Sequence, residues 1–261
     1  MLSTLNKLQL GLRSGLFYSL YVLLTALFSL GAVLFISFLS FRTRFLLLSQ
    51  WSRFCIFFAR IVCGIRYNIS GLEHLPKDQP YVVLSKHQSQ WETYFLMHLL
   101  SPVSIICKKE LLKIPGFGYC LGLLKPIAID RSNPKQALKD IQSIGLQRLQ
   151  EDQVPVLIFP EGTRTGIGEK GKYARGGAQL AIKAEVPVVF ISHNAGYCWP
   201  SDKFIKHPGT IDIIISKPVS SVDKSARELT IEAESWIESQ VRYHNETDKP
   251  VTLQSAEEAA A

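Results

Sequence analysis

Acidic residues are missing from the first 72 positions of this 261-residue chain; Glu73 is the first. Seven basic residues stand in that stretch: Lys7, Arg13, Arg42, Arg44, Arg53, Arg60 and Arg66. The remainder holds 22 basic and 22 acidic residues and is neutral, so the net charge of +7 belongs to the N-terminal part alone. A nucleic-acid-binding domain carries its basic excess on the folded domain, so the distribution speaks against a nucleic-acid partner. A basic excess interleaved with long apolar runs suits the anionic surface of a bilayer. There is no Cys-x-x-Cys. The five cysteines, Cys55, Cys63, Cys107, Cys120 and Cys198, sit among apolar residues, which fits reduced thiols packed as small hydrophobes and not a disulfide framework. Neither His-Glu-x-x-His nor a His pair at i,i+4 occurs, so the usual metal signatures are missing. Without a Gly-x-Ser-x-Gly elbow, a serine hydrolase is disfavoured. Internal repeats are absent.

What is present begins with residues 14–41, which carry no charged side chain. As a single helix they would be about 42 Å long against a hydrocarbon core of about 30 Å. That is long enough to span with tilt, or to break near Gly31 and enter one leaflet. It exceeds the ~7–15 residues of a signal-peptide core, and no Ala-x-Ala site follows. Over 45–64, Arg53 and Arg60 punctuate an otherwise apolar run. This predicts a helix in the membrane interface with snorkelling arginines, or one buried on the domain that follows. The basic excess behind the first run places that domain on the cytoplasmic side.

From about residue 65 short β-rich runs alternate with helical patterns. Strands are expected at 81–85, 103–107, 127–130, 154–159, 186–192 and 211–216, and helices at 90–100, from 133 onward with an apolar stripe of Ala137, Leu138, Ile141 and Ile144, at 173–184 and at 226–243. Asn133 and Pro134 read as N-cap and N1. The alternation predicts an α/β layered domain with a mixed or largely parallel sheet. The chain thus divides into membrane-anchoring helices (1–64), a domain (65–244) and a polar, disordered tail (245–261).

In Ser85-Lys86-His87-Gln88-Ser89-Gln90-Trp91-Glu92, a histidine and a carboxylate lie where a strand gives way to a helix. Five residues apart on a regular helix they would point about 140° from one another. They meet only if His87 occupies the turn and Glu92 the first helical turn. His87 can then act as a general base with Glu92 fixing its tautomer. Ser89-x-x-Glu92 also fits a capping box, and a carboxylate has acceptor sites enough for both roles.

About 70 positions on comes Phe159-Pro160-Glu161-Gly162-Thr163-Arg164. In order behind His87-x4-Glu92, this block resembles the glycerolipid acyltransferase family over roughly residues 65–220 and the hydrophobic N-terminus, with the bacterial branch acting on lysophosphatidate the nearest likeness. The departures are Glu92 where the family usually has Asp, a weak second block at Lys125–Arg131 that keeps strand character and Arg131, and a fourth block, Val186–Ile191, that keeps only its first proline. Lys172 with Gly176-Gly177 resembles the family's Lys-rich, Gly-containing start of a helix.

The resemblance implies transfer of an acyl group from a thioester, on coenzyme A or acyl carrier protein, to the 2-hydroxyl of lysophosphatidate. His87 would be the base and Glu92 its partner. Arg131 and Arg164 would grip phosphate, since guanidinium meets phosphate bidentately. Glu161 would shape the turn or bind acceptor hydroxyls, Gly162 and Thr163 would contact substrate, and Gly162 and nearby N–H groups could serve as oxyanion donors. Lys108, Lys109 and Lys172 are further candidates for donor or phosphate contacts, and the apolar stretch Ile114–Leu124 would border an acyl channel or be core. No metal or redox cofactor is implied, because a thioester is already activated. The bilayer is the remaining partner, and a bacterial inner membrane the expected location. Competing readings are another acceptor (glycerol-3-phosphate, dihydroxyacetone phosphate or a larger lysophospholipid), a His/Glu hydrolase, or an inactive protein that binds anionic lipid.

Overall fold

The structure, a computed structural model, describes residues 4–242; the tail expected over 245–261 lies outside them. Seven strands form one sheet: β1 (Ile65–Ser70), β2 (Val82–Ser85), β3 (Ser104–Lys108), β4 (Ile127–Ile129), β5 (Val156–Ile158), β6 (Val188–His193) and β7 (Gly209–Ile215). Their spatial order is β1-β7-β6-β2-β5-β3-β4. Strands β6, β2, β5, β3 and β4 are parallel, β7 is antiparallel to β6, and β1 is parallel to β7. The sheet is therefore mixed and largely parallel, with two strands at one edge reversed.

Side chains on the strands alternate between two cores, as a period of two requires. Val83, Leu157, Val189 and Ile191 face a core shared with α1 (Thr4–Leu34), α2 (Phe41–Cys63), α3 (Trp91–Leu99) and α4 (Phe117–Leu123). Val82, Leu84, Val156, Ile158, Val188 and Phe190 face a second core under α5 (Pro134–Gln150), α6 (Gly176–Ala184) and α7 (Ala226–Gln240). Burial on both faces explains why the central strands read as continuous apolar runs.

Several elements differ from the sequence expectation; α7, expected to reach 243, ends at Gln240. Strand β1 was not anticipated: its residues are mostly exposed, and it is held by pairing along its whole length with β7. Helix α6 starts at Gly176 instead of Tyr173, because Ala174 N–H bonds Pro160 O and the Tyr173 hydroxyl is drawn to Glu238. Of the two courses left open for the first apolar run, the helix passes through Gly31 unbroken and the chain turns just after it. The helix runs to Leu34, a short 3-10 turn covers Ile36–Phe38, and Ser40 caps α2 by accepting from Thr43 N–H.

Helices α1 and α2 pack as a hairpin on the domain. Phe17 is buried edge-on to Trp199 with ring centroids 5.0 Å apart. Arg13 Nε donates to Val62 O at 2.6 Å, and Trp51 Nε1 to Thr25 Oγ1 at 3.0 Å. Nine α2 residues are buried, so its inner face belongs to the fold while Leu46, Leu47, Phe54, Phe57 and Ile61 stay exposed. One apolar core runs across position 64, from Phe17 and Phe45 through Trp91 to Val189. Both helices are long and apolar enough to cross a membrane, with mean hydropathies of 2.0 and 1.4. The exposed apolar faces associate the protein with a bilayer, the solvent that removes this surface from water.

Candidate active site

The residues singled out by the sequence lie beyond the C-terminal ends of the parallel strands. His87 follows β2, Lys108 ends β3, Arg131 follows β4, and the 159–164 block follows β5. Crevices at such strand ends are where open α/β sheets place their chemistry.

The turn after β2 is tightly held. His87 Nδ1 donates to Glu92 Oε1 at 2.8 Å, and the same oxygen accepts from Gln88 N–H at 3.1 Å and Ser89 N–H at 2.9 Å. Glu92 therefore orients the imidazole and caps the helix start at once. The capping box is not reciprocal, because Ser89 Oγ accepts from Trp91 N–H. Burial pushes the Glu92 carboxyl up, but nearby His193, the bond and proximity of His87 and the Ser89 N–H outweigh it and hold it below the usual range. Since Nδ1 carries the proton toward Glu92, Nε2 is the basic nitrogen available to the cavity. The imidazole stacks on Phe159, with centroids 4.0 Å apart and planes 14° from parallel.

The block after β5 supports this turn from the other side. Glu161 Oε2 accepts from His87 N–H at 2.9 Å. Its Oε1 accepts from Lys86 Nζ at 2.8 Å, Thr165 Oγ1 at 3.1 Å and Gly171 N–H at 3.2 Å. This carboxylate is enclosed and turned away from the cavity wall, so the structure gives it a turn-shaping role and not contact with acceptor hydroxyls. Gly162, with φ +68°, closes the turn through its N–H to Phe159 O, which removes that N–H as an oxyanion donor. Arg164 Nε donates to Ser89 O at 2.8 Å, tying the block to the His87 turn. Gly177 is required by packing: a Cβ there would come within 2.6 Å of Leu84, on the strand that delivers His87.

These residues open on a cavity of about 1280 Å³. Lys108, Arg131, Arg164 and Arg175 give its polar side, and Gly162 and Thr163 lie on the same wall. Its apolar side runs between the hairpin and the sheet past Trp51, Tyr94, Ile114, Phe117, Leu121 and Leu124. The stretch expected as channel or core is thus both, since Leu121 and Leu124 also belong to the buried cluster. Lys109 and Lys172 are exposed but off this wall. Cys107 also lines the cavity; burial pushes its thiol up to about 11 despite nearby Arg131, which makes it a poor nucleophile. No group of three or more metal-ligating side chains occurs among the described residues.

Lys86, Phe159, Arg175 and His193 had been given no role. Phe159 opens the block itself, and Lys86 and Arg175 adjoin recognised motifs, so their signal was adjacency; His193 gave none, because only the fold brings it to its partners. His193 Nε2 donates to Lys86 O at 2.8 Å while Nδ1 accepts from Ala195 N–H at 3.2 Å, which fixes a neutral tautomer. Burial, with the neighbouring Glu92 opposing it, holds the His193 imidazole below its ordinary range.

Among the described residues no activated nucleophile lies beside this pair, and a histidine oriented by a carboxylate can take a proton from a bound hydroxyl. Comparison with known proteins gives the family. The Acyltransferase family profile matches residues 66–194. The chain is 48% identical over 203 residues to 1-acyl-sn-glycerol-3-phosphate acyltransferase of Pseudomonas aeruginosa, covering 76% of this chain and 78% of that one. With the mouse 1-acyl-sn-glycerol-3-phosphate acyltransferase alpha it shares 34% identity over 173 residues, 65% of this chain and 60% of the mouse protein. The crystal structure of the 1-acyl-sn-glycerophosphate (LPA) acyltransferase of Thermotoga maritima superposes with a TM-score of 0.66 at 23% identity, covering 88% of this chain and all of that one, and so shares the fold. The chain belongs to the acyltransferase family and is an O-acyltransferase.

Proposed function

We propose that the protein transfers an acyl group from a thioester donor, on coenzyme A or acyl carrier protein, to the 2-hydroxyl of lysophosphatidate, giving phosphatidate. The observation that carries this reading is the His87 Nδ1–Glu92 bond beside a cavity that joins several cations to a long apolar arm. The relatives at 48% and 34% identity bear the name of this activity.

His87 Nε2 takes the proton of the 2-hydroxyl as its oxygen attacks the thioester carbonyl. Glu92 stabilises the imidazolium that forms. The tetrahedral intermediate collapses, the C–S bond breaks, and the imidazolium returns the proton to the departing thiolate. Arg131, Arg164 and Arg175 hold the acceptor phosphate by charge-assisted hydrogen bonds. The apolar arm takes an acyl chain, and the hairpin lies in the bilayer with the catalytic domain on the cytoplasmic side of a bacterial inner membrane.

The test is acyl transfer by purified protein in detergent or vesicles, with lysophosphatidate and each donor type. Phosphatidate from wild type that is largely lost in His87→Ala supports the reaction and the base. Folded wild-type protein that makes none with either donor sinks the assignment to lysophosphatidate.

A further inference from the structure

Lys86 immediately precedes His87 and is fully buried. Its ammonium bonds Glu161 Oε1 at 2.8 Å, Glu238 Oε1 at 2.9 Å and Glu169 O at 3.2 Å. Glu238 lies in the last turn of α7, 152 positions along the chain, and also accepts from the Tyr173 hydroxyl at 2.8 Å. Burial and the neighbouring carboxylates push that phenol far up, so it remains a donor.

A buried ion pair is weak evidence for stability, because desolvation offsets much of the attraction. What this one does is specify position. Glu161, fixed by Lys86 through one oxygen, uses the other to receive His87 N–H. Along the same backbone, Lys86 O accepts from His193 Nε2 and His87 O from Thr165 N–H. Gln88 and Ser89 N–H bond Glu92. Five backbone polar groups around the base are thereby held by three side chains and one peptide. Only Glu161 among these is anchored by a buried cation, and only that cation reaches a distant helix.

We propose that Lys86 and Glu238 are positioning residues: together they lock Glu161, and through it the backbone of His87, so that α7 helps to set where the base sits. The catalytic consequence rests on the function proposed above; the geometric one does not. Neither residue touches the substrate, so the effect falls on turnover and not on binding. Misplacing a base by a fraction of an ångström costs on the order of 10- to 100-fold in rate.

The test uses the full chain in detergent micelles with Lys86→Met, Glu238→Ala and Glu238→Gln. Acyl transfer is read alongside the downfield proton resonance of the His87 Nδ1–H, assigned by its disappearance in His87→Ala. Lys86→Met should lower kcat by about 10- to 100-fold with KM within about twofold, and should shift or broaden the resonance. Glu238→Ala should do the same more weakly. Glu238→Gln, which keeps an acceptor for Lys86 and Tyr173, should recover most of the loss. A folded Lys86→Met or Glu238→Ala protein with wild-type kcat and an unmoved resonance overturns the proposal. If Lys86→Met fails to fold, the Glu238 pair decides, since that side chain sits at a partly exposed helix end. If wild type makes no phosphatidate, the assigned reaction fails and the resonance alone decides the positioning.

Discussion

Two turns at the same end of the sheet are built in opposite ways. After β2, backbone and imidazole alike are bonded around His87, and Glu92 and Glu161 are enclosed on either side. After β4, Asp130 organises the backbone by accepting from Ser132 N–H and Oγ, while the Arg131 side chain is exposed and makes no hydrogen bond or ion pair to the described residues. On the proposed function, the difference follows from what each group would do, His87 as base and Arg131 as a phosphate contact. A base transfers a proton only within hydrogen-bond reach, so its orientation is worth fixing beforehand. A phosphate-gripping cation must stay hydrated until its anion arrives, because a buried, unpaired charge is costly. Arg164 stands between the two, with Nε committed to Ser89 O and the rest of its guanidinium at the cavity.

Four outcomes would break or sharpen that contrast. The largest is His87→Ala, expected to lower kcat by roughly 10³- to 10⁴-fold with folding retained, measured as phosphatidate formed per enzyme. Next is Glu92→Gln, which keeps an acceptor for Nδ1 but removes the charge that stabilises the imidazolium; a loss of about 10²-fold or more in kcat is expected, with KM little changed. An unchanged rate would reduce Glu92 to a helix cap.

On the loosely built side the effect should move to binding. Arg131→Ala should raise KM for lysophosphatidate by about 10-fold with kcat preserved, as for the loss of one charge-assisted contact. Arg164→Ala should raise KM by about 10- to 100-fold and also lower kcat, since it releases Ser89 O. With monoacylglycerol as acceptor, which lacks the phosphate, the KM effects should vanish. Their persistence would mean that the arginines are structural.

The smallest effect is on stability against pH. The Glu92 carboxyl is held below its ordinary 4.5 in the folded protein, so its ionised form stabilises the fold above that value. The contribution is lost as pH falls through the folded value. Thermal unfolding should show Glu92→Gln less stable than wild type near neutrality, with the gap narrowing below about pH 4.5. A gap constant across that range would place the carboxylate's contribution outside its charge.

Much of this was legible in the chain. The strand-to-helix setting of His87 and Glu92 followed from a spacing that no regular helix satisfies, and Asn133 caps α5 by accepting from Gln136 N–H as its position suggested. The dual use of Glu92, orienter and cap together, was also readable, because both motifs overlap in one eight-residue stretch. Strand β1 was passed over although Ile65, Tyr67 and Ile69 alternate with Arg66, Asn68 and Ser70: the run is short and mostly exposed, and pairing with a strand some 144 positions away makes it a strand. For Glu161 the sequence left two readings, turn-shaping or acceptor contact, because the motif names the residue and leaves its direction open. Buried Lys86, reached only in the fold, turns that carboxylate inward.

By itself the sequence determined which chemistry is available and where along the chain it lies: the apolar, acid-free N-terminus, the His–Glu spacing and the Phe-Pro-Glu-Gly-Thr-Arg block are local patterns carried by neighbouring residues. Tertiary structure decided the rest. It chose which carboxylate receives the His87 backbone N–H, which arginines share the cavity, and that α7 reaches the His87 turn through a buried ammonium. Each of these depends on groups tens to more than a hundred positions apart. Their meeting is set by the packing of two cores on one sheet and by the requirement that every charge so enclosed find its partner.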